Sequence, residues 1–258
     1  MDAIITAGGI PLPGEPLYEY TRGGSKAMLD IAGKPMIQWV LDALCHSPRI
    51  EHVVVIGLTE MGGLTCPKPV TFVANQEDML SNIKVGIATL KKLHSGSKYA
   101  LIAASDVPGV TPAMIDWLIN MIDSNPADLY YQVVEKSVME ATFPTSNRTY
   151  THLKGLDICG GDINAMRIDI ADDVTGLWEK LIANRKNPFK QASILGFDIL
   201  FGLLFRTATL DDAAAMISKR LHLIGKAFVS PYAEMGMDVD KPHQLEIMRH
   251  HLNRRKTV

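Results

Sequence analysis

Short apolar runs of strand type take turns with stretches of helical period along the first 135 residues of this 258-residue chain. That alternation admits little besides βαβ units around a largely parallel sheet. Residues 3–6 make a first strand, halted at Ala7-Gly8-Gly9. Over 35–45, Met36, Trp39, Val40, Ala43 and Leu44 recur at helical spacing behind a proline suited to a first turn. Strands follow over 53–56 and 70–74, and Ile83, Ile87 and Leu90 mark a helix over 79–93. The run 99–104 is apolar on both faces, as a fully buried strand is, and ends at Ser105-Asp106-Val107-Pro108. Thr111-Pro112 then supplies an N-cap and a first-turn proline for a helix with Met114, Leu118, Met121 and Ile122 on one face. A fifth strand over 129–134 closes the series.

Beyond Glu135 the pattern loosens. The segment 142–151 has a loop composition of Ser, Thr, Pro and Asn, 153–158 is strand-like, and Gly160-Gly161-Asp162 marks a turn. Helices are expected over 172–183 and 189–205. The second is apolar almost all round, which implies burial between layers or between subunits and leaves a homodimer open. Thr209-Leu210-Asp211-Asp212 caps another helix to Leu221, 226–229 reads as a strand, and Asp240 begins a last helix with Leu245, Met248 and Leu252 on one face. With no internal repeat and no low-complexity linker, one domain over 1–258 is the economical reading.

Charge narrows the choice of partners. Lys and Arg number 26 against 28 Asp and Glu, a formal net charge of -2, which lacks the basic excess expected of a duplex nucleic-acid binder. An apolar content of 47% without long single-sign runs excludes a disordered chain. Cys45, Cys66 and Cys159 are odd in number and show no CxxC spacing, so neither a disulfide framework nor a zinc ribbon is indicated and a reducing cytoplasm fits. The first residues carry no basic segment of a signal peptide, and the longest uncharged apolar run, inside 198–206, is far too short to span a bilayer. The expectation is a soluble cytoplasmic protein without membrane contact.

Four features fall where an open α/β sheet holds its ligands, beyond the carboxyl ends of strands. The first is Ala7-Gly8-Gly9 with the long loop to Lys26, where adjacent glycines let backbone amides approach phosphate oxygens and Arg22 and Lys26 bring two cations among glycines. A solvated surface loop is the plainer alternative. Gly24-Ser25-Lys26-Ala27 departs from a P-loop on both sides of the lysine, and adjacent glycines followed by prolines depart from the dinucleotide fingerprint. The second is Asp106, placed to bind a hard cation such as Mg²⁺ or to cap the following turn. The third is Asp238-Val239-Asp240-Lys241-Pro242, whose two acids point the same way if extended, with Asp240 also positioned as a helix cap. The fourth is the polar group Asn75-Gln76-Glu77-Asp78 with Ser81, which N-cap chemistry alone also explains.

In this order and spacing the features resemble the MobA-like NTP transferases, the molybdenum cofactor guanylyltransferase-like members of the nucleotide-diphospho-sugar transferase superfamily. The resemblance rests on Ile4-Ile5-Thr6-Ala7-Gly8-Gly9, Arg22, Lys26-Ala27-Met28-Leu29, Gly33-Lys34-Pro35-Met36, the strand 101–106 with Pro108, and the late Asp-x-Asp-x-Pro. It implies a Rossmann-like, GT-A-type three-layer α/β fold with a mostly parallel sheet, a nucleotide-binding half over 1–135 and an acceptor-binding half over 136–258 that completes a metal site. It also implies transfer of a nucleoside monophosphate from an NTP to a phosphorylated or hydroxyl small-molecule acceptor, with release of pyrophosphate and dependence on Mg²⁺ or Mn²⁺. Ala7, Gly8, Gly9, Arg22, Lys26, Asn75 and Ser81 are then expected around the nucleotide, with Lys26 and Asp106 catalytic. Asp106 and Asp240 are the expected metal ligands, Asp238 being the second choice. Gly160, Gly161, Asp162 and Asn164 are acceptor-side candidates by position, or a tight turn. Alternatives are a glycosyltransferase of the same fold, which would carry Asp-x-Asp after its middle strand where this chain has a single Asp, and a nucleotide-binding regulator without turnover.

Overall fold

A computed structural model describes residues 1–76, 78–93, 96–172 and 207–255. The helices expected over 172–183 and 189–205, and the subunit contact read from the second, lie on or run into 173–206, outside the described residues. Among the described residues no helix is long and apolar enough to cross a membrane.

The first half follows the expected alternation closely. Strand β1 (Asp2–Thr6) leads to a short helix α1 (Tyr18–Thr21), a 3₁₀ turn (Lys26–Met28) and a small ribbon of β2 (Asp30–Ile31) with β3 (Lys34–Pro35). Then come α2 (Met36–His46), β4 (Val53–Ile56), β5 (Val70–Val73), α3 (Met79–Leu93), β6 (Tyr99–Ala104), α4 (Pro112–Ser124) and β7 (Leu129–Glu135). Helix α4 begins as its sequence requires, the Thr111 side chain accepting from the Met114 N–H with Pro112 in the first turn.

The second half supplies α5 (Lys136–Thr142), β8 (Thr151–Leu153), β9 (Leu156–Gly160), β10 (Ile163–Arg167), α6 (Leu210–Leu221), β11 (Gly225–Ser230) and α7 (Pro242–Arg255). The strand-like run 153–158 is in fact a hairpin, because Gly155 at φ 75° turns the chain between β8 and β9. Strand β10 was not foreseen.

Strands of both halves share one sheet, in the order β5-β4-β1-β6-β10-β7-β9-β8, with β11 on the other side of β7. Pairing of β5, β4, β1 and β6 is parallel, as is β7 with β11. Among the described strands only β9 and β10 run against this direction; β10 is wedged antiparallel between β6 and β7. Both faces are buried, which makes the fold a three-layer α/β sandwich. Ala3, Ile5, Val53 and Val55 pack with Leu41, Leu44, Ile115 and Leu118 of α2 and α4, while Ile4, Val54 and Ile56 pack with Ile87 and Leu90 of α3. Period-2 alternation in β1 and β4 thus feeds two helical layers at once.

The cysteine expectation is corrected. Cys45 at the end of α2 and Cys66 in the loop before β5 form a disulfide, with their Cα atoms 6.0 Å apart, and Cys159 is free and buried. An odd count hid a pair that the fold brings together across 21 residues. The step from cysteine count to a reducing compartment thereby loses its premise.

Candidate active site

The carboxyl ends of β1 and β6 meet the segment just before α7, and most of the candidate residues gather there. At the end of β1 the Ala7 N–H donates to the Ile56 carbonyl (2.7 Å), holding Ala7-Gly8-Gly9 against the end of β4. Gly8 is needed for space: a Cβ there would lie 2.0 Å from Oδ1 of Asn75, which is itself held by the Asn82 amide (3.0 Å). Asn75 therefore sits against the glycine loop. Below it, Gly57 has φ 108°, and a Cβ on it would stand 2.3 Å from the Gly8 nitrogen.

Lys26 closes the loop on itself, its N–H donating to the Gly9 carbonyl (2.9 Å). Its ammonium donates to Oδ2 of Asp106 (2.7 Å) and to Oδ1 of Asp240, so the three residues form one cluster. Burial opposes the charge on Lys26, yet Asp106 and Asp240 outweigh it and its pKa is raised. Only 15% of the Lys26 side chain is exposed, against 56% of that of Asp240, so the cluster opens to solvent on the Asp240 side. The backbone fixes the acids independently: the Val239 N–H donates to the Asp106 carbonyl (2.9 Å) and the Ser105 N–H to the Thr6 carbonyl (3.1 Å). Oδ1 of Asp106 is buried without a hydrogen-bond partner among the described residues, which leaves it able to accept from or coordinate a ligand.

The two late acids part company. Asp240 does not cap α7: Oε1 of Gln244 accepts from the N–H groups of Asp240 and Lys241 (2.9 Å each), which leaves the Asp240 carboxylate to Lys26. Asp238, expected to point with it, is paired with Arg148 instead, and both members are largely buried. Arg148 was missed by sequence reasoning, although it is the only charged residue in the 142–151 loop.

Asp162 also belongs to this lip. It joins β9 to β10, its N–H donating to the Met235 carbonyl (3.0 Å) and its carbonyl accepting from the Ala104 N–H (2.9 Å) beside the end of β6. Burial, then the nearby Asp106 and Asp240, push its pKa up to about 7 despite Arg148 and Lys26, and its Oδ2 has no hydrogen-bond partner. An acid whose folded pKa exceeds its unfolded one stabilises the fold only while protonated, so stability is lost as pH rises from about 4 to about 7. With divalent ions chelated, Asp162→Asn should remove that loss, gaining roughly 2–4 kcal/mol over the wild type between pH 5 and pH 8 in urea unfolding. Parallel stability curves would refute the assignment.

Other candidates are placed less centrally. Arg22 ends α1 in a left-handed conformation (φ 48°) with its side chain exposed, and it enters no ion pair among the described residues. Ser81 is engaged in capping α3: its N–H and hydroxyl donate to Asp78 at 3.0 and 2.9 Å. On the acceptor side, Gly161 makes room for Gln132, whose Oε1 would lie 1.6 Å from a Cβ there, and Asn164 accepts from the Gln132 N–H (2.9 Å). Gly160 in turn accommodates Tyr131, whose hydroxyl would lie 2.5 Å from a Cβ. No group of three or more His, Cys, Asp or Glu is gathered as a ready metal cage among the described residues. The arrangement can hold a polyanion over glycine amides and a lysine, with two carboxylates beside it.

Residues 3–172 match a protein family described as the MobA-like NTP transferase domain. A hypothetical transferase from Thermus thermophilus is similar in structure at a TM-score of 0.82 and 29% identity, with 95% of this chain and 98% of that one covered. A CMP:2-keto-3-deoxy-manno-octonic acid synthetase solved with CTP shares the fold at a TM-score of 0.59 and 15% identity, covering 98% of both chains. So does a 4-diphosphocytidyl-2C-methyl-D-erythritol synthase from Anaerococcus prevotii, at 0.57 and 12%, covering 97% of both. No curated protein matches the chain.

Proposed function

Because the chain belongs to the MobA-like NTP transferase family, we propose that it is a nucleotidyltransferase working as one domain, which moves a nucleoside monophosphate from an NTP to a small phosphorylated or hydroxyl acceptor. The observation that carries this reading is Lys26 held between Asp106 and Asp240 beside the glycine loop, at the carboxyl edge of a mostly parallel sheet. Amides of Gly8 and Gly9 face the triphosphate, Ala7 holding that turn in place through its own N–H bond to Ile56, Lys26 neutralises the phosphates, and Asn75 lies at the nucleoside side of the same loop. Arg22, exposed at the end of α1, and Ser81, engaged with Asp78, play no central part in this reading.

The acids suit a divalent cation. Mg²⁺ takes one or two protein carboxylates and completes its shell with water and phosphate, and here two carboxylates converge, one with an unpartnered buried oxygen. Asp106 and Asp240 would hold the ion, Asp238 being occupied by Arg148. Bound there, Mg²⁺ would supply charge neutralisation at the α-phosphate. The acceptor oxygen, a phosphate oxyanion or a hydroxyl that gives up its proton to solvent, attacks the α-phosphorus, the bond from that phosphorus to the bridging oxygen breaks, and pyrophosphate leaves with the electron pair. Lys26 and the loop amides stabilise the charge that builds on the departing group, so no covalent nucleophile is needed.

Incubation with Mg²⁺, each of the four NTPs and a panel of sugar phosphates, alcohol phosphates and free polyols tests the reading through released pyrophosphate. At least one NTP and acceptor pair should yield it in step with acceptor consumed. Consumption of sugar nucleotides with no pyrophosphate from any NTP would replace the reading with glycosyl transfer.

A further inference from the structure

Lys26 is already the cation of the two acids proposed to hold a metal. Its ammonium donates to Asp106 and Asp240 together, its charge is favoured by both, and its side chain is largely buried against them. The same ammonium is the group the proposed function places on a triphosphate. It cannot neutralise both at once, which makes occupancy of the carboxylates and of the phosphate site mutually dependent.

We infer that Lys26 acts as a tethered competitor of the divalent ion and thereby selects the metal–triphosphate complex over the free metal as the species the site admits. The inference rests on the proposed function, and sharpens its substrate. A free divalent ion approaching Asp106 and Asp240 meets a fixed positive charge between them and must displace it into solvent with no new partner. An ion arriving on a triphosphate brings the anion that the displaced ammonium takes up. The carboxylates exchange one cation for another, the lysine exchanges carboxylates for phosphate, and every charge stays paired.

The geometry suits such an exchange. The main chain of Lys26 is pinned by its bond to Gly9, so only the side chain has to move. Its stem runs along the glycine loop, with Cβ and Cδ at 3.9 and 4.0 Å from where a Gly9 Cβ would stand, so an ammonium that leaves the acids does so by rotations about a stem that already lies beside that loop. Asp240, more than half exposed, leaves the incoming ion an open side.

Mn²⁺ provides the probe, its free concentration read by electron paramagnetic resonance with no nucleotide present. Lys26→Met and Lys26→Gln should each bind Mn²⁺ about ten-fold or more tighter than the wild type, the gain expected when one competing unit charge is removed. The gain should vanish when Asp106→Asn is added to Lys26→Met, because the released carboxylate is then absent. Equal Mn²⁺ affinity in wild type and both lysine variants overturns the inference, and so does a gain that survives Asp106→Asn. Should neither lysine variant fold, the wild type alone decides: free Mn²⁺ binding as tight as that of the Mn²⁺ complex of a non-hydrolysable NTP overturns it, and binding about ten-fold weaker supports it. Pyrophosphate release by the wild type is scored separately. Its presence beside an unaltered Mn²⁺ affinity removes the competition and keeps the nucleotidyltransferase, whereas its absence with every NTP removes the function itself.

Discussion

Asp106→Asn should lower NTP-dependent pyrophosphate release at least 10²–10³-fold while leaving the fold standing. The amide keeps the size and some of the hydrogen bonding of the carboxylate but loses its charge, and charge is what Lys26 and a divalent ion both require of it. Two features protect the structure: the Asp106 carbonyl, not its side chain, takes the Val239 N–H, and the end of β6 is fixed through Ser105 to Thr6. Lys26, only 15% exposed, keeps Asp240 as its counter-charge when the charge of Asp106 is removed. Thermal melting should therefore shift by only a few degrees. Retention of a tenth or more of wild-type turnover in a folded variant would take Asp106 out of the chemistry.

Gly57→Ala carries the largest expected effect on stability. At φ 108° an L side chain is strained whatever surrounds it, and here a Cβ would also lie 2.3 Å from the Gly8 nitrogen and 2.4 Å from its Cα. Those are backbone atoms, and neither chain can step aside: Gly57 donates to the Val73 carbonyl and Ala7 to the Ile56 carbonyl. A loss of about 3 kcal/mol or more, or failure to fold, is expected in denaturant titration, with nucleotide affinity lost as the Gly8-Gly9 turn is pushed out of place. Gly63→Ala is the control. It has a positive φ of 85° with nothing within 4 Å of a Cβ, and should cost about 1 kcal/mol. Equal costs at the two positions would show that conformation alone, without the contact to Gly8, sets the requirement.

That comparison also shows where sequence reasoning stopped. Strands such as Val53–Ile56 and Tyr99–Ala104 announce themselves because burial on both faces demands unbroken apolar runs, and Lys26 and Asp106 are legible as charges placed just beyond such runs. Gly57, by contrast, is one of 20 glycines, and nothing in its neighbours states that the backbone of residue 8 lies over it. β10 escaped for a related reason: INAMR is five residues long and mixes polar and apolar side chains without strict alternation, so no period marks it as a strand. The partners of Asp238 and Asp240 depend on Arg148 and Gln244, long side chains whose targets only tertiary structure sets. Asp162 could be assigned to a turn from Gly160-Gly161, but its closeness to Asp106 arises from the reversed strand, which periodicity did not reveal.

The distance along the chain from Lys26 to each of its two acids bears on how the protein comes into being. Lys26 meets Asp106 across 80 residues and Asp240 across 214. Contacts so distant in the chain are among the last to form, since the entropy of closing long loops is lost before any reward arrives. A chain emerging from the ribosome can raise β1, β4, β5 and β6 with their helices while Asp240 is still unsynthesised, and such a nascent particle holds the lysine and one acid but not the pair. Under the proposed function, competence is thus withheld until residue 240 has been made, and a nascent chain that holds only Lys26 and Asp106 has yet to gain the second acid of the cluster.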